Sequence, residues 1–343
     1  MIYKHFLKPI IFKKDAEEAH ELALKMASFT NHSSTLQLLT RLVFGGNSGF
    51  EQKLWGLTFK NPIGLAAGFD KNGTTPYAME SLGFGFVEIG SITARPSLGN
   101  PKPRAFRLPK DHSLINRMGL NNEGADVITK RLASYDLDIP LGVNIAKTND
   151  AAIHGNLAIS DYLESYAKAQ NVADYITVNI SCPNTGEGKT FEDPQALTDL
   201  LKELNLSESN IPTLVKFSVD TDKTTLIKLV EICEKYFVAG YVATNTSSTR
   251  NNLLTDSKTL KMIGNGGLSG AAIAEKSTQT ISWLYEILQG RKPIIGVGGI
   301  DSIDTAKKKI DAGANLLQIY SGMVYEGPGL VKKLRNNIQI TSV

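Results

Sequence analysis

Cys182 is the residue best suited to acid–base chemistry, and it lies in the stretch Asn179-Ile180-Ser181-Cys182-Pro183-Asn184. A thiolate there could remove a proton bound to carbon. A lone cysteine at the end of a strand is more often a small buried hydrophobe. The second cysteine, Cys233, within Leu229-Val230-Glu231-Ile232-Cys233, fits that description. Because a proline follows Cys182 and fixes its position, we interpret this cysteine as a candidate base.

Two lysines could also take part in chemistry. Lys216 lies in Val215-Lys216-Phe217, a buried-strand context in which an unpaired ammonium would be costly. It therefore needs an anionic or electron-rich partner, such as the ring of a reduced flavin. The alternative is that Lys216 or Lys71 forms a Schiff base, as in a flavin-free, phosphate-binding lyase.

Asparagines accumulate where strands are expected to end, at Asn116, Asn144, Asn179 and Asn245. Their amides donate and accept hydrogen bonds without carrying charge, which suits the edge of a cyclic imide. A single asparagine often serves only to cap a strand end or a turn. The accumulation favours a binding site for a planar heterocycle.

Glycine-rich stretches indicate a phosphate site. Gly266-Gly267-Leu268-Ser269-Gly270 follows the sixth predicted strand, Gly298-Gly299 ends the seventh, and Ser321-Gly322 ends the eighth. Glycines let backbone N–H groups approach an anion, and the loops after strands seven and eight of α/β barrels commonly hold phosphate. Tight turns are the alternative explanation.

Short apolar runs alternate with helical stretches from residue 61 onward, which indicates a parallel sheet. The eight predicted strands are Pro62 to Ala67, Phe86 to Ser91, Leu141 to Ala146, Tyr175 to Ser181, Thr213 to Ser218, Gly240 to Thr246, Ile294 to Gly298 and Leu316 to Ser321. A doubly wound sheet usually opens with a Gly-x-Gly-x-x-Gly turn, whereas the first turn here reads Ala67-Gly68-Phe69-Asp70-Lys71. We therefore predict an α/β fold, a closed (β/α)₈ TIM barrel with its site at the C-terminal strand ends.

The N-terminal segment predicts a helical hairpin. A capping-box pattern at Asp15 and Glu18 begins a helix over residues 15–29, and a second helix covers Ser34 to Phe44 before Gly45-Gly46. We expect two domains, a helical extension over 1–46 and the barrel over 47–343. Basic residues interleave with apolar ones before residue 15, without the roughly 18 continuous apolar residues of a membrane span. This pattern predicts peripheral membrane contact.

The overall composition narrows the function further. The 37 basic and 34 acidic residues among 343 give a net charge of +3, which is too balanced for a nucleic-acid surface. The two cysteines predict neither a disulfide framework nor a metal cluster, so we expect a reducing cytoplasm and no metal. Three of the five histidines precede residue 33, which argues against a histidine base.

These motifs strongly resemble the dihydroorotate dehydrogenases over nearly the whole chain. The motifs that carry the resemblance are residues 61–71, Asn116-Arg117-Met118-Gly119-Leu120-Asn121-Asn122, the 179–184 stretch, Ala243-Thr244-Asn245-Thr246, Gly266 to Gly270 and Gly296-Val297-Gly298-Gly299-Ile300-Asp301. The resemblance implies oxidation of dihydroorotate to orotate in pyrimidine biosynthesis, with FMN as cofactor. In the family mechanism, a base after strand four removes the C5 proton while C6 delivers a hydride to the flavin. Cys182 occupies that base position.

The resemblance also implies two sets of binding residues. The FMN set is Ala67, Gly68, Phe69, Asp70, Lys71, Ser91, Asn144, Asn179, Lys216, Thr244, Gly270, Gly299, Tyr320 and Ser321. The orotate set is Lys71, Asn116, Arg117, Met118, Gly119, Leu120, Asn179, Asn184, Asn245 and Thr246.

Features of two classes within this family are mixed in the sequence. The hairpin, the Arg104-Ala105-Phe106-Arg107 stretch and Tyr320-Ser321-Gly322 look like the quinone-dependent (class 2) enzymes. Cysteine at the base position is typical of the soluble class, which reduces fumarate or NAD, whereas the quinone class usually has serine. An amphipathic hairpin with a basic flank has little purpose in a soluble enzyme, so we favour the quinone class. The resemblance then implies a quinone tunnel lined by Arg107 and Tyr320. We expect a monomer bound peripherally to the cytoplasmic face of the cell membrane.

Overall fold

The computed structural model describes residues 3–46, 50–181 and 191–339. Its strands are β1 Gln52–Leu54, β2 Leu57–Phe59, β3 Ile63–Leu65, β4 Phe86–Ile92, β5 Ala105–Leu108, β6 Ser113–Asn116, β7 Leu141–Ile145, β8 Tyr175–Asn179, β9 Thr213–Phe217, β10 Gly240–Ala243, β11 Gly267–Gly270, β12 Ile294–Val297 and β13 Leu316–Ile319.

Helices precede the sheet and alternate with its strands. They are α1 Lys8–Ile11, α2 Ala16–Asn31, α3 Ser34–Phe44, α4 Pro76–Ser81, α5 Ala125–Leu132, α6 Asn156–Ala169, α7 Pro194–Leu204, α8 Lys223–Lys235, α9 Ser257–Ile263, α10 Ala274–Leu288, α11 Ile303–Asp311, α12 Ser321–Glu326 and α13 Gly329–Arg335. A π-helical turn, Tyr3–Leu7, leads into α1, and 3₁₀ turns lie at Pro109–Asp111, Leu206–Glu208 and Ala271–Ile273.

Eight parallel strands close into a barrel in the order β10-β12-β13-β3-β4-β7-β8-β9, and β9 pairs back with β10. The barrel confirms the predicted fold, and each of the eight predicted apolar runs overlaps one barrel strand, with ends that agree to within three residues. These strands are buried on both faces because helices cover the outside and side chains fill the inside. The carboxyl ends of all eight strands therefore meet at one rim.

Side chains inside the barrel lie in layers because residues two apart on a strand share a face. The layer at the N-terminal end is apolar and includes Phe86, Tyr175, Leu214, Val242 and Leu316. The β1–β2 hairpin covers this end, where the Trp55 indole N–H donates to the Ala239 carbonyl at 2.9 Å. The next layer is polar and fully or almost fully buried, with Glu88, Asn144, Lys216 and Gln318. Apolar side chains and the β1–β2 hairpin thus close the N-terminal end of the barrel, and a polar layer lies between this end and the carboxyl-terminal rim.

A three-stranded antiparallel sheet, β11-β6-β5, lies beside the barrel rim. The glycine-rich stretch Gly266 to Gly270 belongs largely to this sheet, because Gly267–Gly270 is strand β11 and pairs with β6. The sequence pattern indicates a phosphate site here, with tight turns as the alternative, and it does not predict this strand. A side chain at Gly267 would lie 2.1 Å from the Thr246 hydroxyl, so most of this glycine content serves close packing.

The N-terminal helices form the predicted extension. Asp15 caps α2 by accepting hydrogen bonds from the backbone N–H groups of Glu17 and Glu18, and Ser33 caps α3. The helical turns over Tyr3–Ile11 were not predicted, because the alternation of basic and apolar residues there gave no helical period. Within the described part of the chain, no helix is long and apolar enough to cross a membrane.

Candidate active site

A cavity of about 590 Å³ lies between the barrel rim and the N-terminal helices. This size falls within the roughly 300–1,000 Å³ typical of ligand and cofactor sites. Polar residues of the strand ends line its inner part, namely Ser91, Asn179, Lys216 and Thr244. Apolar residues of the N-terminal helices line its outer part, namely Leu7, Ile11, Ala19, Ala23 and Met26. One continuous space therefore joins a polar chamber to an apolar passage.

The residues expected to hold the cofactor line this cavity, with two exceptions. Asp70 is buried and structural: its carboxylate accepts from the backbone N–H groups of Thr74 at 3.0 Å and Thr75 at 2.7 Å. Asn144 lies one layer deeper, where its side-chain amide donates to Glu88 at 2.8 Å and accepts from the Ser91 hydroxyl.

Glycines at the ends of β11 and β12 form a close-fitting wall of the cavity. Gly270 has φ +96°, and a Cβ there would lie 2.6 Å from the His112 carbonyl oxygen. Gly299 has φ +72°, and a Cβ there would lie 2.5 Å from that of Ala274 at the start of α10. Ser321 stands beside them, its hydroxyl 2.9 Å from that of Ser269. Glycine backbone that lines a cavity next to a helix N-terminus is an arrangement that binds anions.

The residues expected to hold the substrate lie on the other side of the chamber. Lys71, Asn116, Met118, Gly119, Leu120, Asn179, Asn245 and Thr246 line the cavity. Arg117 does not, because its guanidinium turns outward and donates to the carbonyls of Ile263, Asn265 and Pro103. Cys182 and Asn184 lie outside the described residues. The 116–120 stretch thus presents Asn116 to the cavity and uses Arg117 to secure the adjoining loops.

Hydrogen bonds between side chains organise the asparagines of the chamber. The Asn245 amide donates to Asn179 Oδ1 at 3.1 Å and to the Ser181 hydroxyl at 3.0 Å. The Asn179 amide donates to the Ser91 hydroxyl at 3.1 Å. These bonds fix which edge of each amide faces the cavity.

Lys71 lies at the junction of the chamber and the passage. Burial and, to a smaller extent, the charge of Arg104 lower the pKa of Lys71 to about 8, although the charges of Glu17 and Asp70 oppose the shift. An anionic ligand beside the ammonium would stabilise its charged form. The site therefore favours an anion at this position.

His20, Arg107 and Tyr320 line the passage. The imidazole Nε2–H of His20 donates to the Phe69 carbonyl at 2.9 Å, and burial, aided by Lys71, lowers the pKa of His20 to about 3. Burial raises the pKa of Tyr320 to about 12. Arg107 donates to the carbonyls of Ile11 and Lys14, which holds the N-terminal segment over the passage. The histidine is therefore neutral at physiological pH.

A buried ion pair fastens α2 to the barrel. Glu17 accepts from Arg104 Nη2 at 2.8 Å and from Nε at 3.0 Å, and Arg104 Nη1 also donates to the carbonyls of Leu98 and Asn100. Burial alone raises the pKa of Glu17, but the hydrogen bonds and charge of Arg104 outweigh it and leave that pKa lowered. Neither His20 nor Glu17 was predicted. A sequence pattern could have indicated this face of α2. Ala16, Ala19, His20 and Ala23 recur at helical spacing, and all four line the cavity.

A closed parallel barrel with a ligand cavity at its carboxyl rim and glycines at its seventh strand defines the α/β-barrel enzymes. A sequence model of the dihydroorotate dehydrogenases matches residues 50–341. The chain belongs to the dihydroorotate dehydrogenase family, as the motifs had indicated.

Curated relatives and solved structures agree with this assignment. A protein of Synechococcus sp. (strain JA-3-3Ab) named dihydroorotate dehydrogenase (quinone) is 41% identical over 346 residues, covering 97% of this chain and 91% of the relative. One of the same name from Pasteurella multocida is 39% identical, covering 97% and 99%. The crystal structure of DHODH from Eimeria tenella in complex with ferulenol superposes with a TM-score of 0.81 at 31% identity, covering 94% of this chain and 90% of that one.

Proposed function

We propose that this protein oxidises dihydroorotate to orotate and passes the electrons through FMN to a membrane quinone. The observation that carries the proposal is the single cavity that runs from a polar chamber in the barrel to an apolar passage under the helices. The polar chamber suits a polar heterocycle, and the apolar passage suits an apolar electron acceptor. The names of the curated relatives agree with both halves of the reaction.

The inner chamber fits a flavin with one phosphate. The Thr244 hydroxyl and the Gln318 side-chain oxygen are buried without a hydrogen-bond partner among the described residues, and both residues line the cavity. A ring with alternating donors and acceptors would satisfy them. Gly270, Gly299 and Ser321 would hold the phosphate, and Ser91, Asn179 and Lys216 would contact the ring. Bound there, the flavin supplies two-electron chemistry between substrate and quinone.

The orotate residues surround the remaining part of the chamber. Asn116, Asn179, Asn245 and Thr246 would bind the carbonyl and N–H edges of the pyrimidine, and the Lys71 ammonium would pair with its carboxylate. We propose that Cys182 takes the C5 proton, because it follows the cavity-lining Asn179 by only three residues. A proline after it would hold the thiol in place.

The apolar passage would admit the quinone from the membrane. Arg107 and Tyr320, with the neutral His20, supply its polar groups. The outer surfaces of the helices expose large apolar side chains, namely Phe6, Ile10, Met26, Phe29, Leu38, Leu39, Leu42 and Val43. We propose that this surface, with Lys4, Lys8, Lys13 and Lys14 nearby, rests on the cytoplasmic face of the membrane as a monomer.

The acceptor test is a comparison of rates with a short-chain quinone, fumarate and NAD at saturating dihydroorotate. The proposal expects rapid turnover with quinone and little with the other two. A preference for fumarate or NAD would assign the chain to the soluble class. Trapping of substrate on Lys71 or Lys216 by borohydride, in a colourless protein, would instead indicate a Schiff-base lyase.

A further inference from the structure

Glu88 lies inside the barrel below the chamber and has no role in the function proposed above. Its side chain is 0% exposed, and it does not line the cavity. Three neutral donors surround its carboxylate: the Asn144 amide at 2.8 Å, the Gln318 amide at 2.6 Å and the Tyr175 hydroxyl at 3.2 Å. Burying a carboxyl group this deeply costs free energy unless hydrogen bonds compensate for the lost water.

A chain of hydrogen bonds leads from Glu88 up to the cavity. Asn144 donates to Glu88, the Ser91 hydroxyl donates to Asn144 Oδ1, and the Asn179 amide donates to the Ser91 oxygen. The Asn245 amide in turn donates to Asn179 Oδ1. Every donor in this series points toward Glu88, and its upper members Ser91, Asn179 and Asn245 line the chamber.

The direction of the chain follows from the carboxylate. Three donors face the two carboxyl oxygens, which accept from them, so Asn144 turns its NH₂ toward Glu88 and its oxygen toward Ser91. Ser91 must then donate downward, which leaves its lone pairs for the NH₂ of Asn179. Asn179 must therefore turn its oxygen toward Ser181 and Asn245. An amide or hydroxyl at position 88 could be satisfied with the chain running either way.

We propose that Glu88 is a positioning residue that fixes the donor and acceptor pattern of Ser91 and Asn179 toward the flavin. This inference rests on the proposed flavin site. Glu88 does not touch the ring; it acts through Asn144 and through Gln318, a cavity-lining residue whose NH₂ donates to Glu88. This series of hydrogen bonds predicts that the acceptor character of the Glu88 side chain, rather than its volume, determines the affinity for the flavin.

The test measures FMN dissociation constants of flavin-stripped protein by fluorescence, together with the visible spectrum of the bound flavin. Glu88→Gln keeps the size of the side chain but adds a donor, so it should weaken FMN binding about tenfold or more and shift the flavin bands. Tyr175→Phe is the matched control, because it removes a donor to the same carboxylate on the side away from the cavity. It should change the dissociation constant less than about threefold.

A double substitution separates direction from packing. Glu88→Gln with Asn144→Asp moves the acceptor one position up the chain, so Ser91 still donates downward. Its FMN affinity should return to within about threefold of the wild-type value. Ser91→Ala should weaken binding by the same factor in the wild type and in the double variant. These comparisons hold even if Glu88→Gln alone fails to fold, as circular dichroism would show.

The outcomes are distinct. Equal FMN affinity and spectra in Glu88→Gln and the wild type would overturn the role of Glu88, as would a double variant that folds but binds FMN as weakly as the single one. An equal loss in Tyr175→Phe would reduce Glu88 to a packing residue. A wild-type protein that binds no FMN would instead refute the proposed function itself.

Discussion

At the barrel end of the cavity, side chains such as Ser91 and Asn179 are held by one another and by parallel strands on both sides. At the helical end, the passage is walled by apolar side chains from helices whose outer surfaces are exposed. Polar contacts fasten those helices to the rest of the protein at scattered points, among them Glu17 to Arg104, His20 to the Phe69 carbonyl and Arg107 to the Ile11 carbonyl. The comparison teaches that one cavity can combine a half built from paired strands, suited to chemistry, with a half built from separate helices, suited to an apolar electron acceptor.

The largest expected effect belongs to the barrel half. Cys182→Ala should lower kcat by about 10²–10⁴-fold, because the proton at C5 loses its acceptor. Flavin content should stay unchanged. Cys182→Ser should restore part of the rate and move the acidic limb of the pH–rate profile to higher pH, since an alkoxide forms less readily than a thiolate.

Cys233→Ala serves as the control for cysteine loss. Cys233 is fully buried on α8, and burial raises its thiol pKa, so this change should affect stability and leave the pH profile intact. An unchanged profile in Cys182→Ser would contradict the role of Cys182.

The next effect should separate the two halves. Glu17→Leu leaves Arg104 buried without its carboxylate, and breaking such a buried pair costs about 3–5 kcal/mol. The loss should loosen α2, raise the KM for quinone and speed amide exchange in that helix. Anaerobic reduction of the flavin by dihydroorotate should change far less.

An exposed ion pair on the same helix supplies the comparison for that experiment. Glu21→Ala breaks the contact with Lys102, in which the two side chains are 58% and 57% exposed, so the loss of stability should be only a small fraction of that in Glu17→Leu. If Glu17→Leu slowed both half-reactions equally, the two halves would not be mechanically separate.

A pH effect should follow from Lys71, at the boundary between the halves. With a pKa of about 8, its ammonium is present below pH 8 and lost above it. The affinity for orotate should therefore fall as the pH rises, about tenfold per unit above pH 8. Binding calorimetry across pH 7–10 measures this, and Lys71→Met should bind weakly at every pH. A wild-type curve as flat as that of Lys71→Met would exclude Lys71 as the carboxylate partner.

The smallest effect on the fold should come from the outer helical surface. Leu42→Asn alters a side chain that is 71% exposed, so the free energy of unfolding should change by less than about 0.5 kcal/mol. Binding to anionic lipid vesicles should nevertheless fall about tenfold, because the leucine would lose its burial in the lipid. Leu157→Asn, on α6 and 61% exposed, is the control and should leave sedimentation with vesicles unchanged. Equal losses in both variants would argue against a docking face on the helices.

The sequence predicted the features that depend on local patterns. Eight apolar runs indicated the barrel strands, and the caps at Asp15 and Ser33 mark helix starts within a residue or two of those expected. The cavity residues followed from the rule that parallel strands end at one rim. Residues such as Ser91, Thr244 and Asn245 line the cavity at that rim.

Features that depend on contacts between residues far apart in the sequence could not be predicted from local patterns. Arg117 turns outward because carbonyls of Ile263 and Asn265, far along the chain, accept its hydrogen bonds. Gly267–Gly270 is a strand because β6 pairs with it. Glu88 looked like an ordinary strand residue until the barrel brought Asn144 and Gln318 to it.

The proposed reaction is tested most directly by an anaerobic experiment on the purified holoprotein. Dihydroorotate should bleach the visible absorbance of a bound flavin within a turnover time, and a quinone, but neither fumarate nor NAD, should restore it. A protein that carries no flavin, or whose flavin stays oxidised with excess dihydroorotate, would contradict the account.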